Sequence, residues 1–202
     1  MERALPPLDP ARSAVLVIDM QRDFIEPGAP IATPAGPAIV PAVNRLTALG
    51  RRLGLPIIFT QEMHRADRSD FGIELEFEPP HCLEGTAGME LCAGLDVGPD
   101  DYRILGKRRY DAFLGTDLET LLRARKIENL VVAGVCTDIC VASTVQHARN
   151  ADFRCVIVRE CVAGTSRERH EAALLCLGHV FAYVASLTEV EATLNPLAAV
   201  GD

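Results

Sequence analysis

Short apolar runs alternate along the chain with longer segments in which apolar residues recur at helical spacing. The runs are AVLVI (14–18), LPIIFT (55–60), YRILGK (102–107), NLVVAGV (129–135), FRCVIV (153–158) and FAYVAS (181–186). Continuous runs of this length, rich in β-branched residues, are typical of strands that are buried on both faces of a parallel sheet. The pattern therefore predicts six strands.

The segments between the runs predict helices, at 37–54, 116–127, 142–151 and 166–180. Gly54 is expected to end the first of them as a C-terminal cap. Thr116 and Glu119 have the spacing of a capping box at the start of the second. Alternating strands and helices predict an α/β fold, a three-layer αβα sandwich with a mostly parallel, about six-stranded, Rossmann-like sheet. Ligands of such folds bind at the carboxyl ends of the strands.

A long irregular stretch, residues 61–101, interrupts this alternation. It is rich in glycine, proline and acidic residues. Connections this long inside a compact domain are often functional, so we expect it to contribute to a binding site. Since no repeat or linker divides the chain, we predict one domain over residues 1–202.

Charge and composition narrow the class of partner. The chain of 202 residues has a net charge of −8, which argues against binding to nucleic acid or to an anionic membrane. It contains no apolar stretch long enough to span a bilayer, and its N-terminus lacks the pattern of a signal peptide. We therefore expect a cytoplasmic protein whose seven cysteines are mostly free thiols.

Three predicted strands end in, or lead to, side chains that can take part in catalysis. Asp19 follows the first strand, Lys107 closes the third, and Cys140 lies just beyond the fourth. Each has an ordinary explanation when taken alone: a turn residue, a solvated charge and a core thiol. Together they would deliver an acid, a base and a nucleophile to one edge of the sheet. A helix start and a nearby cation are expected to lower the pKa of the Cys140 thiol.

Cys140 has a neighbour, Cys136, four residues earlier. The pair could bind a metal, form a disulfide, fill the core, or supply a nucleophile beside an oxyanion hole. A zinc site would need a second pair of ligands, and the sequence has none at suitable spacing. Spacing alone leaves the other readings open.

Three segments resemble the signature segments of a known superfamily: AVLVIDMQRDFI, KRRYDAFLGTDLETLL and GVCTDICVASTVQHA. The resemblance is to the isochorismatase-like cysteine hydrolases, and it runs in order from about residue 12 to about residue 185. That superfamily includes nicotinamidases, N-carbamoylsarcosine amidases, biuret and ureidoacrylate amidohydrolases, and isochorismatases.

The resemblance implies a catalytic triad of Asp19, Lys107 and Cys140. It also implies a cis peptide bond between Val135 and Cys136, and an oxyanion hole formed by the N–H groups of Cys136 and Cys140. Cys140 is then the nucleophile, whereas the backbone of Cys136 matters more than its thiol. Asp19 would take the thiol proton, and the thiolate would attack an amide carbonyl.

Two further segments, TQEMHRADRSDF and PPHCLEGTAG, resemble the region that holds the metal ligands of nicotinamidases. The matching positions here are Glu62, His64, Asp70 and His81. Glutamate replaces an aspartate and Asp70 replaces a histidine, so we expect hydrogen bonding rather than metal binding, and no cofactor. Glu78 stands where nicotinamidases tend to have an aromatic residue, which argues against nicotinamide as the substrate.

The signature loops also supply three aromatic candidates for the substrate pocket, Phe24, Tyr110 and Phe113. The expected function is cleavage of a C–N bond in a small amide, ureide or carbamoyl compound. Hydrolysis of a vinyl ether, as in isochorismatases, and a silent binding protein on the same fold are the alternatives. The expected partners are a small-molecule substrate and further copies of the chain, in a dimer or tetramer.

Overall fold

Six parallel strands form one sheet in the computed structural model, which describes residues 4–194. The strands are β1 (Ser13–Ile18), β2 (Ile57–Glu62), β3 (Tyr102–Lys107), β4 (Asn129–Val135), β5 (Arg154–Ala163) and β6 (Ala182–Ala185). Their order is β3-β2-β1-β4-β5-β6, and every neighbouring pair is parallel. The chain order reverses direction between β1 and β4. In open α/β sheets this switch point is where ligands bind.

Helices cover both faces of the sheet. They are α1 (Arg22–Ile25), α2 (Gly36–Arg52), α3 (Leu118–Ala124), α4 (Ala142–Asn150), α5 (Arg167–Val180) and α6 (Leu187–Leu194). Helices α2 and α6 contribute to the core on one face of the sheet, which includes Val15 and Val17 of β1. Helices α3, α4 and α5 contribute to the core on the other face, which includes Leu16 and Ile18. The predicted three-layer sandwich is confirmed, and the sheet is entirely parallel.

Of the two capping signals predicted at helix ends, one is confirmed and one is wrong. Gly54 has a φ of 74° and follows α2 as predicted. Its N–H donates to Arg51, and the N–H of Leu55 donates to Gly50, which is the Schellman pattern. The capping box at Thr116 is wrong, because α3 begins only at Leu118. The Thr116 hydroxyl instead donates to the Ala112 carbonyl and accepts from the Leu118 N–H.

Gly134 allows β1 and β4 to approach each other closely. Its φ is 112°, and a Cβ placed there would lie 2.0 Å from the Ile18 carbonyl oxygen. Ile18 pairs with Gly134 in the sheet and directly precedes Asp19. Only glycine combines this backbone conformation with this contact, so Gly134 sets the distance between the two strands that carry the candidate acid and the candidate nucleophile.

The long segment between β2 and β3 is folded back over the carboxyl ends of the strands. Gln21 fastens it, since its side-chain amide donates to Glu62 O (2.7 Å) and Met89 O (2.8 Å). The Asp23 carboxylate accepts from the Cys82 N–H at 2.7 Å. The segment is therefore anchored from within the loop that follows β1. Among the helices described, none combines the length and the apolar character needed to cross a bilayer.

Candidate active site

The ends of β1, β3 and β4 bring Asp19, Lys107 and Cys140 together. The Lys107 Nζ lies 2.6 Å from Asp19 Oδ2 and 3.7 Å from the Cys140 Sγ. A carboxylate oxygen of Asp19 lies within 4.8 Å of that sulfur. All three side chains are buried. Three segments that are far apart in sequence thus meet at one point on the carboxyl edge of the sheet.

Asp19 is held in a tight turn at the end of β1. Its φ is 49°, a left-handed conformation that is uncommon for residues other than glycine. The Thr60 hydroxyl fixes this turn from the neighbouring strand. It donates to Asp19 Oδ1 at 2.6 Å and accepts from the Asp19 N–H at 3.2 Å. The second carboxylate oxygen is thereby left to face Lys107.

Cys140 lies in a short π-helical turn, Thr137–Val141, that leads from β4 into α4. The peptide bond between Val135 and Cys136 is cis. The Cys136 carbonyl accepts from the N–H groups of Ile139 (3.0 Å) and Val141 (3.1 Å), which closes the turn. The turn aims the Cys140 side chain back toward the lysine.

Glu62 is a fourth member of this cluster, and sequence reasoning assigned it only to the possible metal set. Its Oε2 accepts from Lys107 Nζ at 2.7 Å and lies 3.9 Å from the Cys140 Sγ. The sequence predicts that this strand ends at residue 60, but the structure extends it to Glu62, so Glu62 ends a fully buried strand. Since a buried carboxylate needs a partner, its position predicts a contact with a cation.

The two carboxylates differ in proton affinity. Burial raises the pKa of Asp19 above its usual value, even though Lys107 opposes the shift. Burial also acts to raise the pKa of Glu62, but Lys107 and the hydrogen bonds from His64 and His81 outweigh it and hold that pKa well below its usual value. Asp19 is therefore the better proton acceptor, and Glu62 stays ionised as a counter-charge for the lysine.

The expected low pKa of the Cys140 thiol is wrong. Cys140 is only 2% exposed, and burial raises its pKa well above the usual value. Lys107 opposes this shift, but Asp19 and Glu62 add to it by placing negative charge near the sulfur. Burial and the two carboxylates, which compensate the charge of the lysine, together outweigh its effect on the thiol. Cys140 therefore rests as a neutral thiol and needs a base before it can act as a nucleophile.

Two histidines support Glu62 from the side away from Lys107. His64 Nε2 lies 3.1 Å and His81 Nε2 lies 3.0 Å from Glu62 Oε1. His81 Nδ1 lies 2.8 Å from the Pro79 carbonyl, which can only accept, so Nδ1 carries a proton. Burial acts to lower the pKa of His81, but the hydrogen bond to Glu62 raises it overall. A proton on both ring nitrogens satisfies both contacts.

The same group has the donor types of a divalent metal site. Ligand atoms of Glu62, His64, Glu74 and His81 lie within 4.8 Å of one another. Two imidazoles with carboxylates suit Zn²⁺, and the bond from His81 Nδ1 to a carbonyl leaves Nε2 free to bind a metal if it loses its proton. The residues therefore fit either of two arrangements. In one, the Nε2–H groups of His64 and His81 donate to Glu62, and in the other these residues bind a cation.

The structure replaces one member of the ligand set that the sequence indicated. Asp70 is not part of the cluster within 4.8 Å, and Glu74 takes its place. Asp70 accepts from the Arg65 N–H at 3.0 Å and pairs with Arg108 at 3.3 Å. Its Oδ2 also lies 3.5 Å from His64 Nδ1, whereas Glu62 lies beside His64 Nε2. Glu74 was missed, because nothing in its neighbourhood in the sequence marks it as buried.

A cavity of about 260 Å³ opens beside Cys140. Its lining comes from the loops that follow the strands: Phe24, Ile31, Ala32, Thr33, Glu62, Glu78, Tyr110, Cys136, Ile139, Cys140, Thr165 and Arg169. Burial raises the pKa of Tyr110 to about 12, so its hydroxyl remains a hydrogen-bond donor. This volume suits a small substrate.

Two of the three aromatic candidates lie where the sequence suggested. Phe24 and Tyr110 line the cavity, but Phe113 does not. Phe113 packs in the core, with its ring stacked on His147 and tilted against Phe153. It was misplaced because its segment turns away from the carboxyl edge before α3 begins.

The sequence did not predict which residues form the far rim of the cavity. Thr165 and Arg169 line it, and Asp138, two residues before Cys140, accepts hydrogen bonds from both the N–H and the hydroxyl of Thr165. The His170 Nδ1 also lies 2.9 Å from the Thr137 hydroxyl oxygen. The loop after β5 is thus fastened to the turn that carries Cys140.

A buried thiol, an ammonium group and two carboxylates that meet beside a cavity at the switch point of a parallel sheet form a site typical of α/β enzymes. A sequence model of the isochorismatase domain matches residues 13–189. The chain therefore belongs to the isochorismatase family of hydrolases.

Individual relatives agree with this assignment. A protein of Arabidopsis thaliana named "probable inactive nicotinamidase" is 36% identical over 83% of this chain and 89% of its own length. A maleamate amidohydrolase of Pseudomonas putida is 28% identical over 93% of this chain and 89% of its own length. A cysteine hydrolase from Pseudomonas syringae superposes with a TM-score of 0.88 at 24% identity, covering 97% of this chain and 99% of its own, which supports the fold.

Proposed function

We propose that this chain is a cysteine-dependent amidohydrolase that cleaves a C–N bond of a small amide, ureide or carbamoyl compound through a thioester intermediate. The main support for the proposal is that Cys140, Asp19 and Lys107 lie close together beside a cavity. The Cys140 sulfur is 3.7 Å from the ammonium and within 4.8 Å of the Asp19 carboxylate, and Cys140 also lines that cavity.

Asp19 acts first, as the general base. Since the resting thiol is neutral, its proton must leave as the sulfur attacks, and Asp19 has the higher proton affinity of the two nearby carboxylates. The sulfur then bonds to the substrate carbonyl carbon, and the carbonyl π electrons move to oxygen. Lys107 keeps the cluster close to neutral as charge develops on the sulfur.

The oxyanion is stabilised by the backbone before α4. The N–H groups of Cys136 and Cys140 are the proposed donors, because both residues line the cavity and belong to the segment that leads from β4 into α4. In other hydrolases the removal of one oxyanion-hole donor costs roughly 10²–10³-fold in kcat.

Asp19 then returns the proton to the leaving nitrogen, and the C–N bond breaks to give an amine or ammonia and an acyl thioester. A water molecule, deprotonated by Asp19, attacks the thioester carbonyl. Collapse of the second tetrahedral intermediate releases the acid and returns the proton to the Cys140 sulfur. Glu62 remains ionised throughout and holds Lys107 in place.

A metal is not required by any of these steps. If a divalent cation binds this protein, Glu62, His64 and His81 would hold it, and it would supply positive charge for orienting a substrate beside the cavity. The chain's own residues still provide the nucleophile and the base.

Hydrolysis of a vinyl ether is the alternative within the family, and it does not need a thiol nucleophile. A cysteine beside a lysine and a carboxylate favours acyl transfer instead. A silent binding protein would have no chemical use for this combination of buried charges, which are costly to bury.

The test is an ammonia-release screen over small amides and ureides, with the wild type and Cys140→Ala compared side by side. We expect Cys140→Ala to lose at least roughly 10³-fold in turnover while keeping its fold by circular dichroism. Trapping of an acyl adduct on Cys140 by mass spectrometry checks the thioester. Release of ammonia at the wild-type rate by Cys140→Ala would exclude the proposal.

A further inference from the structure

Glu78 brings a carboxylate to the wall of the cavity, on a backbone that is held on both sides. The Glu78 N–H donates to the Glu74 carbonyl at 2.9 Å, and the carbonyl of the next residue, Pro79, lies 2.8 Å from His81 Nδ1. The Glu78 side chain is partly buried and lines the cavity together with Cys140. The fold therefore fixes the backbone that carries this carboxylate, which has no role in the proposed chemistry.

The Glu78 carboxylate has no counter-charge of its own. Within residues 4–194 it makes no ion pair and no hydrogen bond, and the nearby basic groups contact other carboxylates. Lys107 is shared by two of them, at 2.6 and 2.7 Å, and His81 Nε2 lies 3.0 Å from Glu62 and 3.6 Å from Glu74. Burial raises the pKa of Glu78, and the charge of Glu62 adds to this shift against that of His81. A partly buried carboxylate in this position favours a cation as its partner.

Arg169 also lines the cavity, but it does not neutralise Glu78. Its guanidinium donates to the Thr165 hydroxyl oxygen at 3.4 Å, and Thr165 is in turn held by Asp138. In the part of the chain that the structure describes, no ion pair joins Arg169 to Glu78. The carboxylate therefore remains available to a ligand.

Two aromatic residues line the cavity near Glu78. The ring of Phe24 lies edge-on to that of His81, with 5.8 Å between the centroids, and His81 contacts the residue after Glu78. The charge of Glu78 contributes, after burial and the charge of Glu74, to the raised pKa of Tyr110. An ammonium group is attracted both by carboxylates and by aromatic rings. This part of the cavity therefore has the composition of an ammonium subsite.

We propose that the substrate is a small amide that also carries a protonated amino group, which Glu78 binds beside Phe24 and Tyr110. Glu78 is then a specificity-determining residue. This inference rests on the proposed function and narrows it. The reaction consumes one water and breaks the C–N bond of the amide, which gives a carboxylic acid and an amine or ammonia. The ammonium group itself is unchanged.

The experiment compares two matched pairs of amides, in which a methyl group replaces the ammonium group. In β-alaninamide and butyramide this group lies on the acyl part, and in N-acetylethylenediamine and N-propylacetamide it lies on the leaving part. Release of ammonia or of acetate measures the cleavage. In at least one pair we expect wild-type kcat/KM to be roughly 10–100-fold higher for the amine, the range typical of a charge-assisted hydrogen bond.

Glu78→Gln removes the charge with little change of shape, so it should remove most of this preference, mainly through KM for the amine. Glu76→Gln changes an exposed carboxylate outside the cavity lining and is the matched control, which should keep the preference. A preference that survives in Glu78→Gln, or no preference in either pair, would overturn the inference.

Calorimetry with Cys140→Ala gives a second measurement that needs no turnover. The amine of the preferred pair should bind more tightly than its neutral partner, and Glu78→Gln in the same background should equalise the two. Equal binding before that change would overturn the inference even if the wild type cleaves none of these amides. A wild type that cleaves amines and neutral amides equally well through Cys140 would overturn it and leave the proposed function standing. Cleavage that survives in Cys140→Ala would overturn the proposed function itself.

Discussion

At the scale of single residues, two buried carboxylates share one lysine beside one thiol, and their proton affinities differ. Burial and the charge of Glu62 both raise the pKa of Asp19, whereas Lys107 and the histidines lower that of Glu62. A general base must be ionised in the free enzyme and still able to hold a proton in the reaction. Only Asp19 meets both conditions.

We therefore expect Asp19→Asn to reduce kcat/KM by roughly 10²–10⁴-fold, while Glu62→Gln retains measurable turnover. In the wild type, activity should fall on the acid side as Asp19 becomes protonated, at a pH above the usual carboxyl range because its pKa is raised. Glu62→Gln removes a charge that raises this pKa, so its acid limb should move to lower pH. The measurement is the pH profile of kcat/KM.

Glu84→Gln is the control for this pair, because Glu84 pairs with Arg108 outside the cavity lining and should leave the acid limb unchanged. If Glu62 were the base, Glu62→Gln would be the inactive variant and Asp19→Asn would keep an acid limb. The two assignments thus give opposite results.

The accessibility of the thiols gives a second prediction at this scale. Cys176 is exposed, whereas Cys140 is buried and its pKa is raised. Iodoacetamide at limiting dose should therefore label Cys176 first, without loss of activity. In Cys176→Ser, inactivation should follow labelling of Cys140 and should still accelerate as the pH rises above 9, since the thiolate is the reactive form. Peptide mass mapping measures both; inactivation by modification of Cys82 would contradict the assignment of the nucleophile.

At the scale of elements, the site depends on how closely β1 and β4 pack. A Cβ at Gly134 would lie 2.0 Å from the Ile18 carbonyl oxygen, so Gly134→Ala must separate the strands that carry Asp19 and lead to Cys140. Gly54 also has a positive φ, but no atom lies within 4 Å of its Cβ position. Both glycines have a positive φ, 74° at Gly54 and 112° at Gly134, but of the two only Gly134 adds a clash with another strand.

Gly54→Ala is thus expected to cost only the left-handed backbone, about 1–2 kcal/mol, which lowers Tm by roughly 2–8 °C for a chain of this size. Gly134→Ala should lower Tm well beyond that range, or prevent the recovery of soluble protein. Thermal unfolding followed by circular dichroism provides the comparison. Equal shifts for the two variants would mean that the contact with Ile18 relaxes easily.

At the scale of the whole molecule, the long segment between β2 and β3 brings its own charged residues to the site. We predict that activity does not require a metal, because Lys107 already binds one oxygen of Glu62 and a protonated His81 satisfies the other. The protein should be purified without a histidine tag, its metal content measured by mass spectrometry, and its activity assayed before and after prolonged chelation. Stoichiometric Zn²⁺ or Mn²⁺, with activity lost on chelation and restored by the metal, would overturn this prediction.

Assembly is the second question at this scale. Three apolar side chains of the same segment, Ile73, Leu75 and Phe77, are exposed, and the next residue, Glu78, lines the cavity. Exposed apolar groups of this kind are common at interfaces, which agrees with the expectation of a dimer or tetramer without testing it.

The strands could be read from the sequence with good accuracy. The limits of β3 and β4 coincide with those of the runs 102–107 and 129–135, and the other strands were found within a few residues apart from the longer β5. A strand that is buried on both faces consists of a continuous apolar run, so the local sequence shows where the strand lies. The cap at Thr116 failed because its hydroxyl is used by the loop before α3.

The chemistry at the strand ends was also visible from the sequence, since ionisable residues stand at or shortly after the ends of three apolar runs. This signal located Asp19, Lys107 and Cys140. It did not give their electrostatics, because the pKa of a buried group depends on every charge around it. Glu62, which neutralises part of the lysine charge, comes from a fourth segment of the chain.

The sequence by itself therefore determined the class of fold, the edge of the sheet that carries the site and three of the groups in it, because those features follow from local patterns of polarity. Only the tertiary structure decided that Glu62 joins the cluster, that Glu74 replaces Asp70 beside the histidines, and that Phe113 turns inward. It also placed Arg169 on the cavity lining. These features depend on which loops come together at the carboxyl edge of the sheet. Long-range packing determines this, and it leaves no local pattern in the sequence.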